Sequence, residues 1–439
     1  MKKQKREQFT SNMGFILSCV GAALGLGNIW MFSYKLGKYG GAAFLIPYFL
    51  FVFLLGTTGL IIEFTFGRMH KTGSFAAIRK IFEGKGYKGK NIVGLVPTIG
   101  TVGVFMFYSI VIGWILKYFC MSVTGKIGEI DPEAYFNGFA GTKDAMPWFI
   151  VAVVIIVFII CLGVSKGIER LNKIVMPMLL LLFILLTIRA ITLPGAMEGV
   201  RHLIIPRWDL IAKTETWIMA LGQAFFTVSL SGCALVAYGS YAKDSYDIPK
   251  SAIMTAVFDT IAALLASFMI IPAVYAFGLN PTAGPSLLFI TVPKVFQSMP
   301  YGNVISALFF LSIIFAAISS GVNMLEGPVE AIVSVSKVSR KKAAVGVGII
   351  AVLCSIPIAM DLNLFDLFVN VMTIVITPLG ALIVAIVFFY TNKKEQILRE
   401  VNKGAKRKLG NGFMIMGKYV FTLITLVVII VGIGYGGIG

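Results

Sequence analysis

Apolar runs of about 20 residues, separated by short polar stretches, set the pattern of this chain. They lie near 13–35, 42–67, 92–121, 147–164, 171–192, 217–240, 251–277, 303–333, 343–360, 366–390 and 413–435, numbered spans 1 to 11 below. Runs of this length with few charges predict an all-α membrane protein of about eleven transmembrane helices. Two of the runs are interrupted by small residues, Gly21-Ala-Ala-Leu-Gly-Leu-Gly-Asn28 in span 1 and Ser229-Leu-Ser-Gly-Cys233 in span 6. An opened helix turn in lipid leaves backbone N–H and C=O groups unpaired, at several kcal/mol each, unless protein or ligand satisfies them. The breaks therefore mark sites.

The broken spans recur roughly 200 residues apart, each followed by four further spans, which is the pattern of a five-plus-five inverted repeat. This reading places repeat one at about 9–192, repeat two at about 214–392 and an additional helix at about 413–435, all within a single domain over 1–439. The repeat rests on topology and the paired breaks, since the halves share no residue-level identity.

Composition agrees: 58% hydrophobic and 13% charged residues exclude a water-soluble domain. The net charge of +18 does not imply nucleic acid, because the basic residues are spread loop by loop, and every even-numbered span is followed by a basic loop. Membrane orientation accounts for them. The N-terminus is predicted to be cytoplasmic, the C-terminus outside, and the chain to lie in the inner (cytoplasmic) membrane with the lipid bilayer as its surroundings. The first run is longer than a signal-peptide core and lacks a cleavage site, so it reads as mature structure. The five cysteines fall in or beside apolar runs without metal-ligand spacing, and His70 and His202 form no cluster. No nucleophile and base, filter motif or charged ring is visible, so a transporter is favoured over an enzyme or a channel.

Gly25-Leu-Gly-Asn-Ile-Trp30, Gly40-Gly-Ala-Ala-Phe44 with Ile46-Pro-Tyr48, Glu63-Phe-Thr-Phe-Gly-Arg68 and Gly222-Gln-Ala-Phe-Phe-Thr-Val-Ser229 carry a resemblance. Ala283-Gly-Pro-Ser-Leu-Leu-Phe-Ile-Thr-Val-Pro293 and Ala316-Ala-Ile-Ser-Ser320 add to it. In order from about residue 6 to 390, the chain resembles the neurotransmitter:sodium symporter family. Sodium-coupled import of an amino acid by alternating access is what that resemblance implies.

On physical grounds alone, the first break exposes carbonyls on one side and the N–H groups of Leu26 and Gly27 on the other, which suits a zwitterion and a cation. A purely structural alternative is that Gly21, Gly25 and Gly27 only permit close helix packing, although Asn28 adds a polar group that packing does not need. The resemblance implies that the substrate carboxylate meets Leu26 and Gly27 N–H and the Tyr108 hydroxyl. Its ammonium would meet the carbonyls of Ala23, Phe226 and Thr227 and the Ser229 hydroxyl. Two sodium sites follow from the same comparison. One comprises Ala23, Asn28, Thr227, Asp259 and the substrate carboxylate, and the other Gly21, Leu24, Ala316, Ser319 and Ser320. The alternative for the two serines is that their hydroxyls bond back to the preceding turn.

Asp259 stands where the leucine-type members carry asparagine, and the resemblance implies that an acid here replaces the chloride of chloride-dependent relatives. Transport without chloride is expected. The side-chain wall implied by position is Val104, Tyr108, Phe226, Ser229, Gly232, Ser320 and Met324, with Asn323 and Ser229 within reach of a phenolic hydroxyl. Because leucine-type members have phenylalanine at Gly232, the freed volume predicts a larger substrate such as tyrosine or another aromatic amino acid. A leucine or small neutral substrate, or proton coupling on the same fold, is the runner-up. Among the gates, Met31 replaces the usual outer arginine while Asp366 retains its acid, and Tyr108 and Phe226 are expected to close over the site. On the cytoplasmic side Arg6 and Tyr241 match the family, Phe9 replaces a tryptophan, and Ser334 replaces an aspartate. Glu7, Glu326 and Glu330 are open alternatives for the missing acid. Glu63 is expected to brace both broken spans through backbone N–H groups.

Overall fold

The computed structural model describes residues 7–279 and 286–437, and among these every regular element is helical. Arg6 and the first three residues of the 283–293 motif lie outside the described residues; the rest of that motif belongs to the short helix Leu287–Gln297. Nine of the described helices are long and apolar enough to cross a bilayer. They are Gly41–His70, Lys90–Val123, Lys143–Cys161, Val164–Ile191, Ile248–Ala276, Gly302–Val335, Arg340–Ala359, Leu362–Thr391 and Asn411–Tyr435, matching spans 2 to 5 and 7 to 11 in order. Span 1 is the pair Asn12–Ala23 and Gly27–Lys38, bent by 62° at its break. Span 6 is the two short helices Thr214–Thr227 and Ala234–Ser240, with 228–233 between them.

Local chemistry sets both interruptions. The first half of span 1 starts at Ser11, whose side chain accepts from Gly14 N–H at 3.0 Å, and it ends where Leu24 turns to extended geometry. Asn28 Oδ1 then accepts the Gly25 N–H at 3.0 Å, so a side chain replaces one lost helical bond. In span 6 the chain leaves the helix after Thr227, and Ser229 and Gly232 take left-handed φ of 56° and 72°. Ser231 restarts the helix as its hydroxyl accepts from the N–H groups of Cys233 and Ala234, each at 3.4 Å.

Glu63, buried in span 2, accepts the Ser231 and Gly232 N–H groups on one oxygen at 3.0 and 2.8 Å. These are the amides that the break orphans. Contrary to the sequence expectation, Glu63 braces only span 6; among the described residues neither of its oxygens bonds span 1, and its other oxygen has no partner. The first half of span 1 is instead gripped by spans 5, 7 and 8. Spans 4 and 11 bury only 33% of their most apolar stretch, which places them at the rim. Their outward side chains, Val154 and Phe158 on one and Leu423 and Ile430 on the other, are apolar as a lipid-facing surface requires.

Candidate functional site

The two breaks face one cavity. Its walls include Ala23, Leu26, Gly27, Val104, Tyr108, Phe226, Thr227, Ser229, Ser320 and Met324, all singled out in the sequence. Tyr108 Oη accepts the Leu26 N–H at 3.2 Å, tying span 3 to the opened turn of span 1. Close approach needs glycine at two places: a Cβ on Gly27 would lie 2.8 Å from the Phe226 ring, and one on Gly25 would lie 2.9 Å from Tyr108 Oη. Ser229 donates to the Ala22 carbonyl at 3.0 Å, bridging the two breaks directly. Asn323 lines the cavity, and its Oδ1 is buried without a hydrogen-bond partner among the described residues.

Gly232 corrects the sequence reading. It is not in the cavity wall: a side chain there would run into the backbone of Gly380, reaching within 2.6 Å of its carbonyl carbon, and its φ of 72° disfavours any other residue. The argument that a missing ring at this position enlarges the pocket therefore fails, because the Cα–Cβ direction points at span 10. Phe107, Thr101, Thr373, Thr377 and Pro378 line the cavity without having been foreseen. Nothing in their sequence context separates them from ordinary span residues.

Beside the cavity, three polar side chains from three spans meet. Asn28 Nδ2 donates to Thr227 Oγ1 at 2.9 Å and to Asp259 Oδ1 at 2.7 Å, and Thr227 donates to Asp259 Oδ2 at 2.7 Å. All three are buried, with Asp259 fully inaccessible. Their oxygens, one of them a carboxylate, form a hard donor set that suits sodium. The Asn28 oxygen is turned to Gly25 and its nitrogen to Asp259, so the carboxylate and hydroxyl are the oxygens that converge here.

Part of the second predicted cation set comes together. Ser320 Oγ lies 3.2, 3.2 and 3.0 Å from the carbonyl oxygens of Gly21, Ala22 and Leu24. Ala316, one turn earlier on span 8, is buried beside it in sequence. Ser319 does not bond back to its own helix; it donates to Asn172 Oδ1 on span 5, a residue absent from the sequence reading.

A second cavity lies on the Met31 side. Met31, Tyr34, Lys35 and Asp366 line it, and it shares Phe107, Tyr108 and Phe226 with the first. Leu26, Gly27 and Thr373 also line both, so these six residues lie between the two spaces. Lys35 is the cation of this wall, one turn beyond Met31.

At the opposite end, Glu326 meets a cation. Arg340 donates to its two oxygens at 2.9 and 2.5 Å, and Tyr241 donates to Oε1 at 2.5 Å. Of the other two acids, Glu330 accepts Gly73 N–H at 2.7 Å and Glu7 accepts Val164 N–H at 2.5 Å. Ser334 donates within its own helix, to Ala331. Phe9 is fully buried, its ring edge-on to Tyr238 and Tyr241.

A model of the sodium:neurotransmitter symporter family matches residues 6–138 and 136–435. This chain belongs to that family. As a sodium:neurotransmitter symporter family member it is a multi-pass membrane transporter coupled to sodium, not an enzyme. It is 34% identical to the sodium-dependent transporter YhdH of Bacillus subtilis, covering 98% of each chain. A sodium-dependent transporter of Methanocaldococcus jannaschii is 30% identical, over 100% of this chain and 94% of that one. The sodium- and chloride-dependent GABA transporter 2 of Rattus norvegicus is 27% identical over 77% of this chain and 64% of its own. Among solved structures, MhsT in complex with L-phenylalanine superposes with a TM-score of 0.86 at 35% identity, covering 97% of this chain and 99% of that one.

Proposed function

We propose that this symporter imports an aromatic amino acid, such as phenylalanine or tyrosine, with two sodium ions and without chloride. The observation that carries the reading is the convergence of both span breaks on one cavity flanked by two oxygen clusters. The amino acid's carboxylate lies against the Leu26 and Gly27 N–H groups and Tyr108, at the start of the outer half-helix, where amides point outward. Its ammonium lies against the carbonyls of Ala23, Phe226 and Thr227 and the Ser229 hydroxyl. One sodium sits among Ala23, Asn28, Thr227, Asp259 and the substrate carboxylate, so ion and solute bind as a unit. The other sits among Gly21, Leu24, Ala316, Ser319 and Ser320.

The aromatic assignment is supported by the phenylalanine bound in the MhsT structure and by the apolar walls of Val104, Phe107 and Met324, with the unpartnered Asn323 oxygen as a polar anchor. Asp259 supports chloride independence: a fixed carboxylate beside the first ion supplies the negative charge that a bound anion would otherwise bring. Access alternates between the Met31 side, taken as the outside, and the Glu326–Arg340–Tyr241 end, taken as the cytoplasm. Phe226 and Tyr108 close the outer path by packing in place of the missing arginine pair.

Competition by the twenty amino acids against bound, labelled phenylalanine, in sodium chloride and then sodium gluconate, tests this. Aromatic amino acids should compete best in both salts. Preference for leucine or glycine, or loss of binding in gluconate, would overturn it.

A further inference from the structure

Resting on the sodium-symport reading above, we infer that Asn172 of span 5 is a positioning residue of the second sodium site, orienting the Ser319 hydroxyl so that its oxygen faces the ion. Asn172 is fully inaccessible. Its Nδ2 donates to the Ile168 carbonyl at 2.9 Å, which fixes the amide's orientation and turns Oδ1 away from its own helix. That Oδ1 accepts the Ser319 hydroxyl proton from span 8. Both atoms face Gly21: a Cβ at Gly21 would collide with Asn172 Oδ1 and Ser319 Oγ together. Gly21 is where span 1 supplies a carbonyl to the neighbouring Ser320, at 3.2 Å.

A hydroxyl that ligates a cation presents a lone pair and must place its proton elsewhere. Two other serines of span 8 place theirs within the helix. Ser312 donates to Phe309 and Ser334 to Ala331, which turns their oxygens back along the helix wall. Ser319 departs from those two. Its proton goes across to span 5, so its remaining lone pairs are directed out of span 8, toward the opened end of span 1. Asn172 thus acts on the ion through Ser319, as outer partners act on metal ligands elsewhere. An amide oxygen suits the task because it accepts the proton without adding a charge to a site that already sits in the membrane interior.

The test uses the full-length purified protein and sodium alone as the ligand. Thermal stabilisation is titrated with sodium chloride against choline chloride at constant ionic strength. Asn172→Ala should raise the sodium midpoint by about ten-fold. Asn172→Asp, which keeps the acceptor and adds a negative charge, should match or lower the wild-type midpoint, and lowering the pH should weaken it. In a Ser319→Ala background, Asn172→Ala should have no further effect on the midpoint. A residue that merely packs would weaken sodium binding in both single variants, or add its effect to Ser319→Ala, and either result overturns the inference. An unchanged midpoint in Asn172→Ala overturns it too. Should wild type itself show no sodium stabilisation, the symport reading has failed instead.

Discussion

Thr227 donates its hydroxyl to Asp259 Oδ2 at 2.7 Å, and this bond joins the last helical residue before the span 6 break to a carboxylate in the interior of span 7. Asn28 completes the contact from the span 1 break. A carboxylate placed so deep needs a partner for its charge, because an unpaired acid in the membrane interior is costly. In the proposed sodium site that partner is a cation. A sodium ion held there would tie both opened helices to one carboxylate.

Asp259→Asn keeps the shape of this contact but removes the charge. Sodium-dependent phenylalanine binding should require at least about ten-fold more sodium, the equivalent of about 1.4 kcal/mol. Chloride, without effect on wild type, should stimulate the variant. Ion-substitution binding curves on both proteins check this, and identical curves would show Asp259 to be structural.

Gly232 is held by its backbone rather than by the cavity. Gly232→Ala should destabilise the folded protein by about 2–5 kcal/mol, from left-handed φ and from overlap with Gly380. Melting in detergent measures it. A stable Gly232→Phe variant that switches to leucine would contradict this account.

Glu326 is buried and its partner Arg340 partly so, and removing the arginine leaves a buried charge stranded. Glu326→Gln or Arg340→Gln alone should cost about 3–5 kcal/mol, while the double variant should lose less than the sum. A thermal double-mutant cycle reads the coupling, and additive losses would show the pair to be independent.

His202 lies in the helix Ala196–Ile204, outside the spans, with its ring against Tyr275. Partial burial, aided by Arg207, holds its pKa below the ordinary imidazole value, against an opposing hydrogen bond to Gly37. The unfolded chain therefore takes up this proton first as pH falls. Stability from this group is complete above about pH 6.5 and declines as pH drops toward the lowered folded value. Melting temperatures between about pH 8 and 5.5 should fall more for wild type than for His202→Gln. Parallel curves would remove His202 from the account.

Much of this architecture was legible because lipid makes helix breaks costly: small residues at 21–28 and 229–233, with the polar Asn28 among them, point to opened turns in apolar runs. The cavity's first wall followed from the same breaks. Gly232 was misread because sequence gives a residue's volume but not the direction of its Cα–Cβ bond. Asn172 was missed because one asparagine in an apolar run carries no signal until span 5 is packed against span 8. Glu326 could not be chosen over Glu7 and Glu330, since only packing brings Arg340, at the start of the next helix, back onto it. Glu63's one-sided bracing likewise depends on which orphaned amides face it.

The most direct measurement is uptake of labelled phenylalanine into proteoliposomes under an inward sodium gradient, with potassium or choline replacing sodium outside as the control. The account predicts accumulation above the external concentration with sodium, equilibrium or less without it, and no dependence on chloride. Equal uptake in sodium and choline, or accumulation driven only by a proton gradient, would contradict it.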